Sequence, residues 1–380
     1  MVIGLFGFSF EDRNKGCEAL TYSFISILNE LIPDNLTVIN LSGIGDSKEL
    51  EKIFPKIHFE ITGFQKKKIS INSFKELLKC DVVFDCTFGD NFSDIYSRSF
   101  VNKTTLLKEM TLCFRKPFVL APQTIGPFND KRLIKRVIRI LKKSDIVYSR
   151  DVLSAKYVKT ISGVDPVITT DLAFLLPYDK KIFRGEKRKV GINVSGLLWA
   201  GGFNGENQFD LKVDYKQYIT ELIKYLKFNT NTEVHLIPHV LDYNKEEIDN
   251  DLFICEELSE KFEVKFSGSF LNPVEAKNYI SGMDYFVGAR MHSTVAAFSS
   301  GVVTIPFSYS RKFEGLYATL EYNYIIDGKK LATKDAINQT IGYIEQSKEL
   351  ALSQKKALNR IDELEKDFIK SLREYLGNFT

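Results

Sequence analysis

Short, unbroken apolar runs, each followed by a stretch of helical period, recur along the whole 380-residue chain. In the first half the runs are Val2–Phe8, Thr37–Leu41, Asp81–Cys86, Pro117–Pro122, Ile146–Ser149 and Val167–Thr170, with helical patterns over Glu18–Leu31, Tyr96–Phe114, Lys131–Lys143 and Leu153–Ile161. A basic stretch without pattern, Asp179–Lys189, reads as a linker. The alternation then resumes with strands Val190–Ser195, Glu233–Pro238, Val264–Phe266, Tyr285–Gly288 and Val302–Pro306, and helices Tyr215–Leu226, Lys245–Lys261, Val274–Ser281, Ser293–Ser299 and Lys312–Leu320. Strands that are apolar throughout, not at every second residue, are covered on both faces, and alternation with helices makes their sheets parallel. The pattern predicts an α/β fold of two Rossmann-like domains facing a cleft, residues 1–180 and 181–332. A helical tail rich in Lys, Glu and Leu follows over 333–380.

Composition narrows the function classes. A net charge of +3 leaves no nucleic-acid footprint on the chain as a whole. No apolar run is long enough to span a bilayer. The start, Met-Val-Ile-Gly-Leu-Phe, lacks a basic n-region and reads as a first strand. The five cysteines (Cys17, Cys80, Cys86, Cys113, Cys255) form no Cys-x-x-Cys pair, which fits free thiols in a reducing cytoplasm. Lys131–Lys143 carries Lys131, Arg132, Lys135, Arg136, Arg139, Lys142 and Lys143 around an apolar stripe. It reads first as an outer helix with a solvated face, and second as a contact for an anionic membrane surface or lipid-linked substrate.

Candidate site residues gather where strands end, because ligands of open parallel sheets bind at the carboxyl edge. The sharpest such point is Tyr285–Gly288 leading through Ala289-Arg290-Met291-His292 into an apolar helix. A helix N-terminus suits an anion, and the arginine and histidine add charge and a proton carrier. Ser293 is the expected N-cap of that helix. Arg150 ends another strand and reads either as a fork for a carboxylate or phosphate or as the partner of a nearby acid. Asp151 is the expected cap of the next helix, and Asp171 lines the site or caps the connector. Asn14 and Gly16 shape the first loop, where a turn presenting N–H groups to a ligand and an ordinary β–α turn stand level. Asp90 and Asn91 follow a tight turn at Gly89, either for a substrate or as helix caps. Gln123 sits at a strand-to-loop transition. Trp199, the only tryptophan, and Phe203 lie in a glycine-rich loop expected to be flexible, suited to stacking on a sugar face. His235 and His239 share a strand and read as core or edge histidines, with no companion ligands for a metal.

Taken in chain order, several segments resemble the polysaccharide pyruvyl transferase family. They are Asn14-Lys-Gly-Cys-Glu-Ala19, Asp85-Cys-Thr-Phe-Gly-Asp90, Gln123-Thr-Ile-Gly-Pro127, Ser149-Arg-Asp151, Thr170-Asp-Leu-Ala-Phe174, Gly191-Ile-Asn-Val-Ser-Gly196, Gly288-Ala-Arg-Met-His-Ser293 and Tyr309-Ser-Arg-Lys312. Two positions depart from the family pattern: Cys17 stands where an acid is usual, and Thr87-Phe88-Gly89 where paired glycines are usual.

The resemblance implies a fold similar to the B-type glycosyltransferases. It also implies transfer of the pyruvyl group of phosphoenolpyruvate to two hydroxyls of a cell-surface sugar, giving a cyclic ketal and phosphate. Phosphoenolpyruvate is then a co-substrate, and no cofactor or metal is expected. The acceptor is a lipid-linked or nucleotide-linked sugar, and a homo-oligomer working in the cytoplasm, with peripheral contact to the inner face of the membrane, fits such a role. Donor-binding positions map onto Arg150, Arg290 and His292, with Lys312 beside them. His292 and Arg290 are the expected catalytic pair, His292 as acid/base. Asn14, Asp90, Asn91, Gln123, Asp171, Trp199 and Phe203 are the acceptor-side candidates. On this reading His292→Ala and Arg290→Ala each abolish phosphate release and leave the fold intact. A glycosyltransferase using a nucleotide sugar, and a non-catalytic sugar- or polyphosphate-binding component, are the rival readings.

Overall fold

The structure is a computed structural model that describes residues 1–63, 71–94, 98–229 and 231–379. The chain forms two compact units. The first comprises Met1–Asp12, Cys17–Leu176 and Ile361–Thr380; the second comprises Arg13–Gly16 and Pro177–Arg360.

The first unit holds β1 (Val2–Phe6), β2 (Thr37–Asn40), β3 (His58–Ile61), β4 (Val82–Asp85), β5 (Phe118–Leu120), β6 (Ile146–Ser149) and β7 (Val167–Ile168) in the order β3-β2-β1-β4-β5-β6-β7. The second holds β8 (Arg188–Asn193), β9 (Thr232–Leu236), β10 (Lys265–Phe266), β11 (Tyr285–Gly288), β12 (Val303–Ser308) and β13 (Ile326–Asp327) in the order β10-β9-β8-β11-β12-β13. Every pairing is parallel. In each sheet the order reverses beside the first strand, between β1 and β4 and between β8 and β11. Loops leaving the carboxyl ends part there and open a crevice. The central strands β4 and β11 are buried at every residue, as their apolar runs predict.

Several elements differ from the pattern read along the chain. The edge strand β3 and the helices Lys48–Ile53 and Ile71–Lys79 were not anticipated; β3 has a single buried residue, so no apolar run announces it. The expected start of a helix at Tyr96 lies outside the described residues, and the described helix runs Arg98–Cys113. The helix expected from Lys245 begins at Leu252 and runs to Phe262. Residues before it are held in turns by side chains that compete with helical bonds: Asn244 N–H donates to Asp242, and the Asn250 amide donates to the Asp242 and Asn244 carbonyls. The tail is not one body. Its helices Thr333–Glu345 and Ser347–Leu376 divide at residue 360. Gln354 bonds Thr304, Phe298 and Val302 in the second unit, whereas Phe368 stacks edge-on against Tyr148 in the first. Helix Lys131–Lys143 buries Leu133, Val137, Ile140 and Leu141 and turns its cations outward, apart from Arg136, which grips Glu109.

Beneath the first switch point lies a buried ion pair. Lys108, fully buried on helix Arg98–Cys113, places its ammonium 2.9 Å from Asp85 at the end of β4 and donates to Thr87 at 2.8 Å. Thr87 in turn donates to Asp85. Thr87 and Phe88 have φ of 40° and 56°, a left-handed region that is costly for residues with a Cβ. The pair holds that turn. Burial outweighs the attraction of Asp85 and pushes the Lys108 ammonium pKa down. Removing one partner of such a pair leaves an uncompensated charge and costs about 3–5 kcal/mol. Lys108→Ala is therefore expected to lower stability by about that amount in a urea titration; an unchanged midpoint would show that the pair holds nothing.

Candidate active site

In the second unit the loops leaving β8, β9 and β11 converge on one carboxylate. Asp251, with no exposed surface, directly precedes helix Leu252–Phe262. Its Oδ1 accepts from Gly196 N–H at 2.8 Å and from Arg290 Nη2 at 2.6 Å. Its Oδ2 accepts from the N–H groups of His239 and Val240 at 3.1 Å each, and from the Asn193 amide at 3.3 Å. Asn193 returns its Oδ1 to Arg290 N–H at 2.9 Å. Asp249 takes a further bond from Arg290 Nη2. Burial works against the Arg290 charge, but Asp251 and Asp249 more than offset it, so the guanidinium pKa is raised. Nε and Nη2 are committed to the two acids, while Nη1 has no hydrogen bond to a described residue. A guanidinium pinned on one edge and open on the other suits an anion.

Helix Met291–Ser299 starts directly after this arginine, with Arg290 itself in the cap position. Ser293, expected as the cap, instead donates its hydroxyl to the Arg290 carbonyl at 2.7 Å, inside the first turn. The Arg290 side chain makes no cap bond to the helix start.

The segment Arg13–Gly16 belongs to the same unit. Arg13 pairs with Asp242 and Glu247, Asn14 bridges Val240 in antiparallel fashion, and Lys15 N–H donates to the His239 carbonyl at 3.0 Å. Gly16 N–H goes to the Asn14 side chain, so the turn spends these donors internally and does not present them to a ligand. Gly16 touches His292: a Cβ at this glycine would lie 2.2 Å from the His292 Nδ1. His239, 3% exposed, stands among Arg290, His292 and Lys15, and neither ring nitrogen has a hydrogen-bond partner among the described residues. Burial first, then His292, Arg290 and Lys15, hold its pKa well below the ordinary 6.5.

In the first unit Arg150 is buried. It donates to Thr124 at 2.9 Å through Nε and to Asp171 at 2.7 Å through Nη1; Nη2 lacks a partner among the described residues. The acid-partner alternative for Arg150 is thus realised in Asp171, which also caps Leu172–Leu175. Asp151 caps helix Val152–Ser162 as expected. Asp90 acts on the Arg150 charge, and Asn91 N–H closes the turn onto Thr87. Gln123 donates to the Asp85 and Ala121 carbonyls, tying β4 to β5.

The structure brings Arg290 and His292 together with Asn14 in the second unit. Tyr309 contributes to the Arg290 electrostatics, and Lys312 lies in the first turn of helix Arg311–Thr319. Trp199 closes an ordered helical turn, Gly196–Trp199, capped by Ser195, where a flexible loop was expected. A Cβ on Gly196 would strike the Asn250 carbonyl at 1.9 Å. Trp199 has Lys216 over its ring, and Phe203 is 55% exposed. Sequence reasoning missed Asp251, Asp249 and Lys15, and read His239 as a core or edge histidine; the ring is indeed buried. An acid directly before the apolar run Leu252-Phe253-Ile254 is a helix-start signal, one that the helical periodicity running through it from Lys245 obscured. Among the described residues no group of three or more His, Cys, Asp or Glu could hold a metal ion.

The family model for polysaccharide pyruvyl transferases matches residues 14–311. The chain belongs to this family. No curated protein matches its sequence. Solved structures share the fold at low identity. S. aureus MnaA with UDP is 11% identical, covers 99% of this chain and 96% of its own, and has a TM-score of 0.60. Anabaena Alr3699/HepE in complex with UDP and glucose is 12% identical, covers 98% of both chains, and scores 0.58. UDP-GlcNAc 2-epimerase from Neisseria meningitidis, bound to UDP-GlcNAc, is 10% identical, covers 98% and 99%, and scores 0.58. The fold is thus the B-type glycosyltransferase fold that the sequence predicted. No described helix is long and apolar enough to cross a membrane.

Two outcomes test this geometry. Gly16 lies at the second residue of helix Lys15–Leu31, and a Cβ there would lie within 2.7 Å of the His292 Nδ1, Cγ and Cβ. Gly16→Ala is therefore expected to push His292 aside and, because the contact reaches the His292 Cβ and not the ring alone, to lower the melting temperature. An unchanged melting temperature would mean that the two helix starts yield without strain. The second concerns pH. The unfolded chain protonates His239 near 6.5 and the folded protein well below it. The folded state therefore holds fewer protons in that window, and stability, complete above 6.5, falls as pH drops through it. Melting curves should show a steeper acid loss for the native protein than for His239→Gln; His235, also lowered, supplies the remainder.

Proposed function

We propose that this member of the polysaccharide pyruvyl transferase family moves the pyruvyl group of phosphoenolpyruvate onto two hydroxyls of a sugar, releasing phosphate and forming a cyclic ketal. The observation that carries this reading is the cationic group of the second unit. Arg290, with its Nη1 edge open, stands beside His292 and Lys15 at a carboxyl edge, directly before a helix start. Phosphoenolpyruvate brings a phosphate and a carboxylate, and both suit that field.

In this reading a proton is delivered to the methylene carbon, leaving the adjacent carbon oxocarbenium-like. A sugar hydroxyl attacks that carbon and returns its proton to the base that protonated the methylene. The C–O bond to phosphate then breaks, and the second hydroxyl attacks the cation so formed and closes the ring, its proton leaving with the phosphate. His292 is the proton carrier, a role suited to an imidazole held beside the anion site. Arg290 neutralises the phosphate as it departs. Asp251 fixes the guanidinium.

Arg290 now has a structural as well as a chemical duty, so the expectation that Arg290→Ala leaves the fold intact gives way. That substitution strands a carboxylate with no exposed surface, at a cost of about 3–5 kcal/mol. His292→Ala is the cleaner test. It is expected to keep the native melting temperature and lose about 10²–10⁴-fold in phosphate release from phosphoenolpyruvate plus acceptor. Product mass confirms the ketal. Thermal stabilisation by UDP- or GDP-sugars, with none by phosphoenolpyruvate, would replace this reading with glycosyl transfer.

A further inference from the structure

The second unit contains two histidines on and just beyond β9 that differ in one respect. His235 is satisfied at both ring nitrogens, by Tyr279 at 2.8 Å and Glu233 at 2.9 Å. His239 is nearly as buried and satisfied at neither. Its backbone, by contrast, is held firmly. Its N–H goes to Asp251, its carbonyl receives Lys15, and the next residue, Val240, is bridged to Asn14 and also bonded to Asp251. The chain therefore fixes where this ring stands and supplies nothing for it to bond.

A buried polar atom without a partner is destabilising, and a phenylalanine or leucine would fill the space without that cost. Such an arrangement is expected where a ligand completes the bonding. The neighbours state the ligand's sign: Arg290, His292 and Lys15 are basic groups. Their field, together with burial, keeps the His239 ring from becoming a further cation. The ring so constrained has one N–H to give and one lone pair to offer.

We propose that His239 is a ligand-contacting residue of this site, donating a ring N–H to a phosphate oxygen of the donor and accepting a hydroxyl hydrogen of the sugar at its other nitrogen. This rests on the phosphoenolpyruvate reading above and adds a residue to it. His239 binds the phosphate as a dipole where Arg290 binds it as a charge. Its second nitrogen links donor and acceptor in one contact, which makes occupancy of the two substrates interdependent.

The test compares His239→Phe, which keeps size but removes both bonding atoms, with His239→Gln, which keeps one donor and one acceptor. His239→Phe is expected to melt at or above the native temperature, since it removes two unsatisfied atoms. It should lose on the order of tenfold to hundredfold in kcat/KM for phosphoenolpyruvate and weaken inorganic phosphate binding, followed by calorimetry, by on the order of tenfold. His239→Gln should recover part of both. A His239→Phe protein within about twofold of native in both measurements overturns the proposal while leaving the phosphoenolpyruvate reading in place. So does a fall in melting temperature with unchanged kinetics, the signature of a packing role. If the native protein releases no phosphate from phosphoenolpyruvate under any acceptor, that reading falls instead. His239 is then decided by inorganic phosphate alone: loss of binding in His239→Phe supports the contact, and equal affinity, or no binding by either protein, overturns it.

Discussion

The Arg290–Asp251 ion pair is the constraint around which the second unit's carboxyl edge is arranged. A carboxylate with no exposed surface must be paired and hydrogen-bonded to be tolerated. Asp251 meets that requirement with five separate donors: the backbone N–H groups of Gly196, His239 and Val240, and the side chains of Asn193 and Arg290. Those donors come from the loops after three different strands. One acid thus sets the heights of the Ser195 turn, the His239 strand end and the Arg290–His292 entrance to a helix. The arginine is oriented as a by-product. Its Nε and Nη2 are consumed by Asp251 and Asp249, which leaves Nη1 without a hydrogen bond to a described residue. Pre-organisation of this sort removes the entropy of ordering a long side chain at the moment of binding.

The first unit solves a related problem with different residues. At its switch point the buried Lys108–Asp85 pair, with Thr87 between, stabilises a turn in which two residues bearing Cβ atoms adopt left-handed conformations. Arg150 meets Asp171 nearby in sequence order on the next strand ends. In both units a buried cation and a buried acid sit where the strand order reverses. Each pair costs desolvation, and each positions backbone that no apolar contact could hold at a loop-rich edge.

The architecture was legible because the signal for it is redundant. Apolar runs such as Val82–Phe84, which Asp85 closes, and Tyr285–Gly288 can only be strands covered on both faces. What escaped were elements without such runs: β3, with one buried residue, and β13, with two residues in all. In the site, Arg290 and His292 stood out because a charged pair between an apolar strand and an apolar helix needs a reason. Asp251 did not, because Asn250 and Asp251 sit among other polar residues and the periodicity of Lys245–Lys261 passes smoothly through them. The turns formed by Asp242, Asn244 and Asn250 depend on side-chain bonds that periodicity cannot register. His239 was read from the sequence as a core or edge histidine, and it is buried. That its ring lacks a hydrogen-bond partner among the described residues is what only coordinates reveal.

The contact between Gly16 and His292 has a consequence for what position 16 can hold. The glycine's backbone angle would accept a side chain, so the position is closed by contact alone: a methyl group there would lie within 2.7 Å of three His292 atoms, its Cβ among them. Gly16 and His292 each stand at the second residue of a helix. One missing methyl group therefore sets how closely two helix starts from distant parts of the chain can approach, and any larger residue at position 16 has to move both.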